Sequence, residues 1–218
     1  MKVIVFGATG MVGQGVLREC LLDPGVEAVV AVGRSVTGVA HDKLTDVVPA
    51  DLFDLSPVEA ALAGADACFF CLGVSSAGMS EDAYRRITYD LTMSVAQTLA
   101  RTSPGLTFVY VSGLGTDSTE QGRSMWARVK GRTENALLAM PFQAYMFRPG
   151  FIQPMHGAVS KVRLYRAIYT VLRPLTAGLV RFAPGVATTT QQIGRAMLRV
   201  AREGSPKRVL ESRDIAAL

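Results

Sequence analysis

Seven residues near the start of the chain, Gly7-Ala8-Thr9-Gly10-Met11-Val12-Gly13, have the types and spacing to cradle phosphate. An apolar run, Val3-Ile4-Val5-Phe6, precedes them, and a helical pattern, Val16-Leu17-Arg18-Glu19-Cys20-Leu21-Leu22, follows. Strand, glycine turn and helix in that order open a dinucleotide-binding sheet of the Rossmann type. One glycine permits the tight turn, one lets the main chain approach a pyrophosphate, and one lets helix pack close to strand. The helix start adds unpaired N–H groups and a partial positive charge. Gly7, Thr9, Gly10, Met11, Val12 and Gly13 are therefore the expected phosphate-binding residues.

A second group follows the next apolar run, which ends Val32-Gly33-Arg34-Ser35. A site for NAD(H) usually carries an acid here for the ribose 2′-hydroxyl. Arg34 and Ser35 stand there instead, and a guanidinium suits a 2′-phosphate through paired, charge-assisted hydrogen bonds. The expected cofactor is thus NADP(H). Asp51-Leu52, after a short strand, could face the adenine edge, and Leu72-Gly73 ends a strand that would pass beside the cofactor.

These groups need a scaffold, and the chain supplies alternating strands and helices. Strands are predicted at 3–6, 28–32, 44–48, 67–72, 107–112 and 144–148, and helices at 11–22, 56–62, 81–101, 122–139 and 190–202. Ser80 before Glu81, and Ser56 before Pro57, are suitable helix starts. Such alternation predicts an α/β fold: a doubly wound parallel sheet with helices on both faces and ligands beyond the strands' carboxyl ends. At 218 residues the chain fits one domain, 1–218, and 49% hydrophobic content allows a large core.

Other chemistries fit poorly. Cys68 and Cys71 have a CxxC spacing, but along one strand they point to opposite faces and cannot share a metal. His41 and His156 are the only histidines, too few for a His-rich centre, so no metal site is expected. Ser112 lies in Tyr110-Val111-Ser112-Gly113-Leu114, which lacks the first glycine of a nucleophile elbow. No phosphate-binding loop of the GxxxxGK[ST] type occurs. Three cysteines, with a short apolar start that runs straight into the glycine turn, point to a reducing compartment and a cytoplasmic location.

Taken together, the glycine turn, Arg34, Asp51-Leu52, Val111-Ser112 and Val129-Lys130 resemble the short-chain dehydrogenase/reductase superfamily. The likeness is greatest to its atypical branch of epimerase-like and Tat-interacting-protein-like members. It covers about residues 1–150, ending at Phe147-Arg148-Pro149-Gly150. That resemblance implies a Ser, a Tyr and a Lys as the catalytic set, the last two spaced Tyr-x-x-x-Lys on a helix. Ser112 matches the serine, which would orient a substrate carbonyl, and Lys130 matches the lysine, which would hold the nicotinamide ribose. The tyrosine position is Trp126. An indole N–H can donate a hydrogen bond but cannot act as a general acid near neutral pH. Tyr84 and Tyr89, on the 81–101 helix, could substitute, although packing is the plainer reading of both; Tyr110 shares the face of Ser112 but sits deeper.

The last third is basic. No Asp or Glu occurs between Glu134 and Glu203, while Lys161, Arg163, Arg166, Arg173 and Arg181 do. Leu164, Ile168, Val171, Leu172, Leu175 and Leu179 recur at helical spacing, so 151–187 reads as a basic amphipathic segment broken at Pro174. A short helical cap over the substrate cleft is favoured. A homodimer or partner face and an anionic membrane surface are the alternatives. No nucleic-acid reading motif accompanies the charge, and nucleic acid is not an expected partner. Two functions remain open: an NADP(H)-dependent oxidoreductase or epimerase-like enzyme with a modified site acting on a small molecule, or a dinucleotide-dependent sensor that does no turnover.

Overall fold

The computed structural model describes residues 1–158 and 187–218. Seven parallel strands form one sheet: β1 (Lys2–Phe6), β2 (Ala28–Val32), β3 (Leu44–Val47), β4 (Ala67–Phe70), β5 (Thr107–Val111), β6 (Gln143–Arg148) and β9 (Val209–Glu211). Their order is β3-β2-β1-β4-β5-β6-β9. The direction of winding reverses between β1 and β4, which opens a crevice at their carboxyl ends. Two further strands, β7 (Phe151–Gln153) and β8 (Ala187–Thr189), pair with each other outside this sheet. The amphipathic positions Leu164–Leu179 lie outside the described residues.

Each central strand is apolar on both sides because each face of the sheet is covered. Along β1, Val3 and Val5 point into one core, while Ile4 and Phe6 point into the other. The first core is closed by α1 (Met11–Leu22), α6 (Thr190–Glu203) and the C-terminal helix α7 (Ser212–Ala217). The second is closed by α2 (Glu59–Leu62), α4 (Leu91–Thr102) and α5 (Met125–Leu138). It holds a row of stacked rings, Phe6–Phe70–Phe108–Phe142, with centroids 5.3–5.9 Å apart.

Helix ends follow local chemistry. Thr189 Oγ1 accepts from Gln192 N at 3.0 Å and the Gln192 side chain accepts from Thr189 N at 2.9 Å, a capping box that starts α6. Ser80 Oγ likewise accepts from Ala83 N to start α3 (Glu81–Arg85). The helix predicted over 81–101 is continuous in path but changes type: a π turn, Arg86–Asp90, joins α3 to α4. α5 begins at Met125 rather than at Gly122. The Asp117 carboxylate accepts from Gly122 N at 2.6 Å and Thr119 N at 3.0 Å, and so holds the preceding residues in a loop.

Candidate active site

The glycine turn sits at the crevice. Gly7 has φ +78°, and a Cβ there would lie 2.8 Å from the Leu72 backbone, so the turn rests directly on the end of β4. A Cβ on Gly13 would lie 2.1 Å from the Gly7 carbonyl oxygen, so α1 is seated against the turn it leaves. Gly10 is the N-cap of α1 and offers no side-chain acceptor. The first-turn N–H groups are thus presented beyond the ends of β1 and β4, where the macrodipole favours an anion. Thr9, Met11 and Val12 are half-exposed around this point.

Around the turn the other expected residues form a rim. Arg34 and Ser35 are exposed after β2, and Arg34 has no carboxylate in ion-pairing range among the described residues. The Asp51 carboxylate accepts from Phe53 N at 2.9 Å, a local turn that leaves Leu52 buried beneath it. Leu72 is half-buried and Gly73 is exposed, with open space where its Cβ would be.

The second half of the site is built differently, from side chains on β5, α5 and β6. Lys130 on α5 donates from Nζ to the Ser112 carbonyl oxygen. Burial pushes the Lys130 ammonium down to about 8, against the pull of Glu134 one turn further along α5. The Ser112 hydroxyl, expected to orient a substrate carbonyl, is turned inward: Oγ is 2.5 Å from Glu134 Oε1 and 3.1 Å from the Phe147 carbonyl oxygen. The Ser112 N–H donates to that same Phe147 oxygen at 2.9 Å.

Glu134, 1% exposed, is in turn clasped by Arg148 at the end of β6. Arg148 Nε lies 3.0 and 3.2 Å from the two carboxylate oxygens, and Nη2 lies 2.5 Å from Oε2. This pairing raises Arg148 further above its ordinary value. Arg148 also reaches the Ser118 hydroxyl at 2.5 Å and Glu211 at 3.4 Å. Glu134 and Arg148 were not among the residues expected at the site. Their signal in the sequence is faint: an acid four residues after Lys130, and a base at the end of a buried strand.

Trp126 lies one turn before Lys130 on α5, half-buried, with its ring against the Gly115 position at 3.5 Å. Tyr110 and Tyr84 are buried in the interior, and desolvation pushes both phenols upward. Neither is placed to exchange a proton with a ligand in the crevice. Tyr89 is half-buried in the π turn, with the Arg132 guanidinium 5.0 Å from its ring centroid. Cys68 and Cys71 do face opposite cores, and burial pushes Cys71 up to about 12 and Cys68 well above its ordinary value, so neither provides a thiolate.

A profile of the NAD(P)H-binding family matches residues 7–176. Among solved structures, the chain superposes on UDP-glucose 4-epimerase with a TM-score of 0.71, at 14% identity over 100% of this chain and 80% of that one. It superposes on the Bordetella bronchiseptica enzyme WbmF, in complex with NAD+, with a TM-score of 0.67, at 18% identity over 99% and 76%. At these identities the likeness is one of fold, a Rossmann-type parallel sheet with helices on both faces. The protein fmp52-2, mitochondrial, of Aspergillus oryzae is 27% identical over 98% of this chain and 95% of its own length. The cytoplasmic location expected from the cysteines is overturned here, since the fmp52 relatives are named as mitochondrial proteins. Reduced thiols fit more than one compartment, so that expectation had little physical hold.

Proposed function

Since the chain belongs to this NAD(P)H-binding family, we propose that it is an NADP(H)-dependent oxidoreductase or epimerase-like enzyme with an altered proton-donating site. The carrying observation is the glycine turn seated on Leu72, with the exposed Arg34 at its rim. The cradle fits a dinucleotide: a Cβ at Gly7 or Gly13 would collide with main chain, and α1 presents its uncapped start. Gly7, Thr9, Gly10, Met11, Val12 and Gly13 would take the pyrophosphate. Arg34 and Ser35 would take the 2′-phosphate, and Asp51, Leu52, Leu72 and Gly73 would flank the adenosine. When bound, the nicotinamide supplies or accepts a hydride.

The chain's own residues then have limited roles. Lys130, held by the Ser112 carbonyl, would donate to the ribose hydroxyls. Ser112 acts through its main chain, since its hydroxyl is committed to Glu134 and Phe147. Trp126 would offer an indole N–H to a substrate oxygen without transferring a proton. The domain spans 1–218, the other ligand is a small molecule, and the relatives' names favour a mitochondrial setting.

Calorimetric titration of both cofactors tests this reading. NADPH should bind at least about tenfold tighter than NADH, roughly 1.4 kcal/mol. Equal affinities, or an Arg34→Ala variant that keeps the preference, would refute the assignment.

A second reading is a dinucleotide-dependent binding protein that does no turnover, and Trp126 is the observation that favours it. General acid catalysis contributes about 10²–10⁴-fold, so activity on simple aldehydes and ketones should be very low while cofactor binding is intact. Trp126→Tyr should raise that activity, because Lys130 sits one turn away. Ordinary reductase rates in the unmodified protein would overturn the role given to Trp126.

A further inference from the structure

The two ends of the crevice differ in charge. At the rim beyond β2, Arg34 is exposed. Beyond β4, β5 and β6 the chain runs through residues 71–79, 112–116 and 149–155, and Cys71 is the one ionisable side chain in these three stretches. Burial pushes that thiol up to about 12, so it is neutral. Neighbouring charges are engaged or turned elsewhere. Arg148, before the third stretch, is clasped by Glu134. Asp117, after the second, accepts from Gly122 N and Thr119 N. His156, after the third, lies with Thr9 and Ser35 along α1. Where α3 and α5 begin, Arg128 Nη2 lies 2.5 Å from Glu81 Oε2, so the two helix starts are tied by opposite charges. Lys130 Nζ donates to the Ser112 carbonyl oxygen.

These stretches offer apolar surface instead. Val74 is 37% exposed and Leu114 49%, each four positions past the paired residues Phe70 and Tyr110. Both therefore stand beyond carboxyl ends of strands, where ligands of this sheet bind. Leu114 is displayed by a built turn. Gly113 at φ +144° and Gly115 at φ +85° flank it, in conformations that other residues rarely adopt. Leu114 N donates to the Pro149 carbonyl oxygen at 2.9 Å, which fastens the turn to the end of β6. Thr116 N and Oγ1 both donate to the Gly113 carbonyl oxygen, at 3.2 and 2.7 Å, which close the turn on itself. An apolar side chain held in water this way gains free energy when a ligand covers it. The half-buried Trp126 ring lies beside the same turn, with Cη2 3.5 Å from a Cβ built at Gly115.

We propose that this end of the crevice takes an uncharged carbonyl compound with an apolar body, its oxygen at the Trp126 indole and its body over Leu114 and Val74. The proposal rests on the dinucleotide reading above and names the substrate class that reading leaves open. A sugar nucleotide fits poorly. A diphosphate turned towards 71–79 or 112–116 would meet no cationic side chain in either stretch to offset its lost hydration.

Trp126 is the chain's one tryptophan, so its emission reports on this end directly. The test titrates the full-length protein, saturated with NADP+, with nonan-2-one, 8-oxononanoate and UDP-glucose, following Trp126 emission and heat. Nonan-2-one should bind saturably and change the emission. The same chain ending in a carboxylate, 8-oxononanoate, should bind at least about tenfold more weakly, and UDP-glucose not measurably. Val74→Asp and Leu114→Asp change exposed loop residues and should each weaken nonan-2-one at least about tenfold, with melting temperature and NADP+ affinity unchanged. Equal affinity for ketone and acid, tighter binding of UDP-glucose, silence of Trp126 on ketone binding, or indifference to both aspartates would overturn the proposal. If NADP+ binds and nonan-2-one does not, this proposal falls and the dinucleotide reading stands; if NADP+ does not bind, both fall.

Discussion

The two halves of the candidate site are held together by different means. At the ends of β1 and β4 the cradle is main chain: Gly7 lies on the Leu72 backbone, Gly13 on the Gly7 carbonyl, and helix N–H groups face the crevice. At the ends of β5 and β6 the same job falls to side chains: Lys130, Glu134 and Arg148, with Ser112 as their junction. A main-chain cradle depends on a few residues close in sequence and tolerates little. A side-chain network depends on residues 18 and 14 positions apart and can be rebuilt if its charges leave together.

Arg148→Met is the severest test of that contrast. It strands the buried Glu134 carboxylate and should cost about 3–5 kcal/mol in denaturant unfolding. Glu134→Leu combined with Arg148→Met should recover most of that loss, because no uncompensated charge remains. A double variant as unstable as the single one would mean that the network cannot be replaced. Gly13→Ala should be next in size: with a Cβ 2.1 Å from the Gly7 oxygen the turn must move, and dinucleotide affinity should fall by about 100-fold, roughly 2.7 kcal/mol. No second change should rescue it, and recovery by any neighbouring side-chain substitution would erase the distinction between the halves.

The smallest effect is a pH dependence. Folded Lys130 loses its proton near pH 8, whereas its ordinary value is 10.5. Between those values the unfolded chain binds more protons, so this group makes stability rise with pH across the window; below pH 8 its burial penalty is fully present. Lys130→Met should therefore raise the thermal midpoint at pH 7, by about 2–4 °C for each kcal/mol relieved. The gain should shrink towards pH 10. A gain that is flat with pH would show that the ammonium is not desolvated. The unmodified protein should also bind its dinucleotide more weakly as pH rises through about 8, and the variant should not show that step.

Legibility in the sequence follows the same division. β1, β2, β4, β5 and β6 were readable because a strand buried on both faces is a continuous apolar run. The glycine turn was readable because its parts are contiguous. β7, β8 and β9 are three residues each, too short to show a period, and α7 begins on a Glu211 cap that resembles a charged loop. The π turn at Arg86–Asp90 leaves no mark in a helical pattern. Ser112 and Lys130 could be picked out by resemblance, yet the direction of the Ser112 hydroxyl depends on Glu134, and Glu134 on Arg148, a strand away. Such an orientation is a property of assembled neighbours, not of spacing.

The strand order also bears on how the molecule is made. β1 is synthesised before either of its sheet neighbours, β2 on one side and β4 on the other, and the second of these is complete only at residue 70. During that part of synthesis Val3-Ile4-Val5-Phe6 is an apolar ribbon with an open hydrogen-bonding edge, the kind of surface that attracts chaperones or other nascent chains. The residues that later form the rigid floor of the crevice are thus the ones most in need of protection at birth.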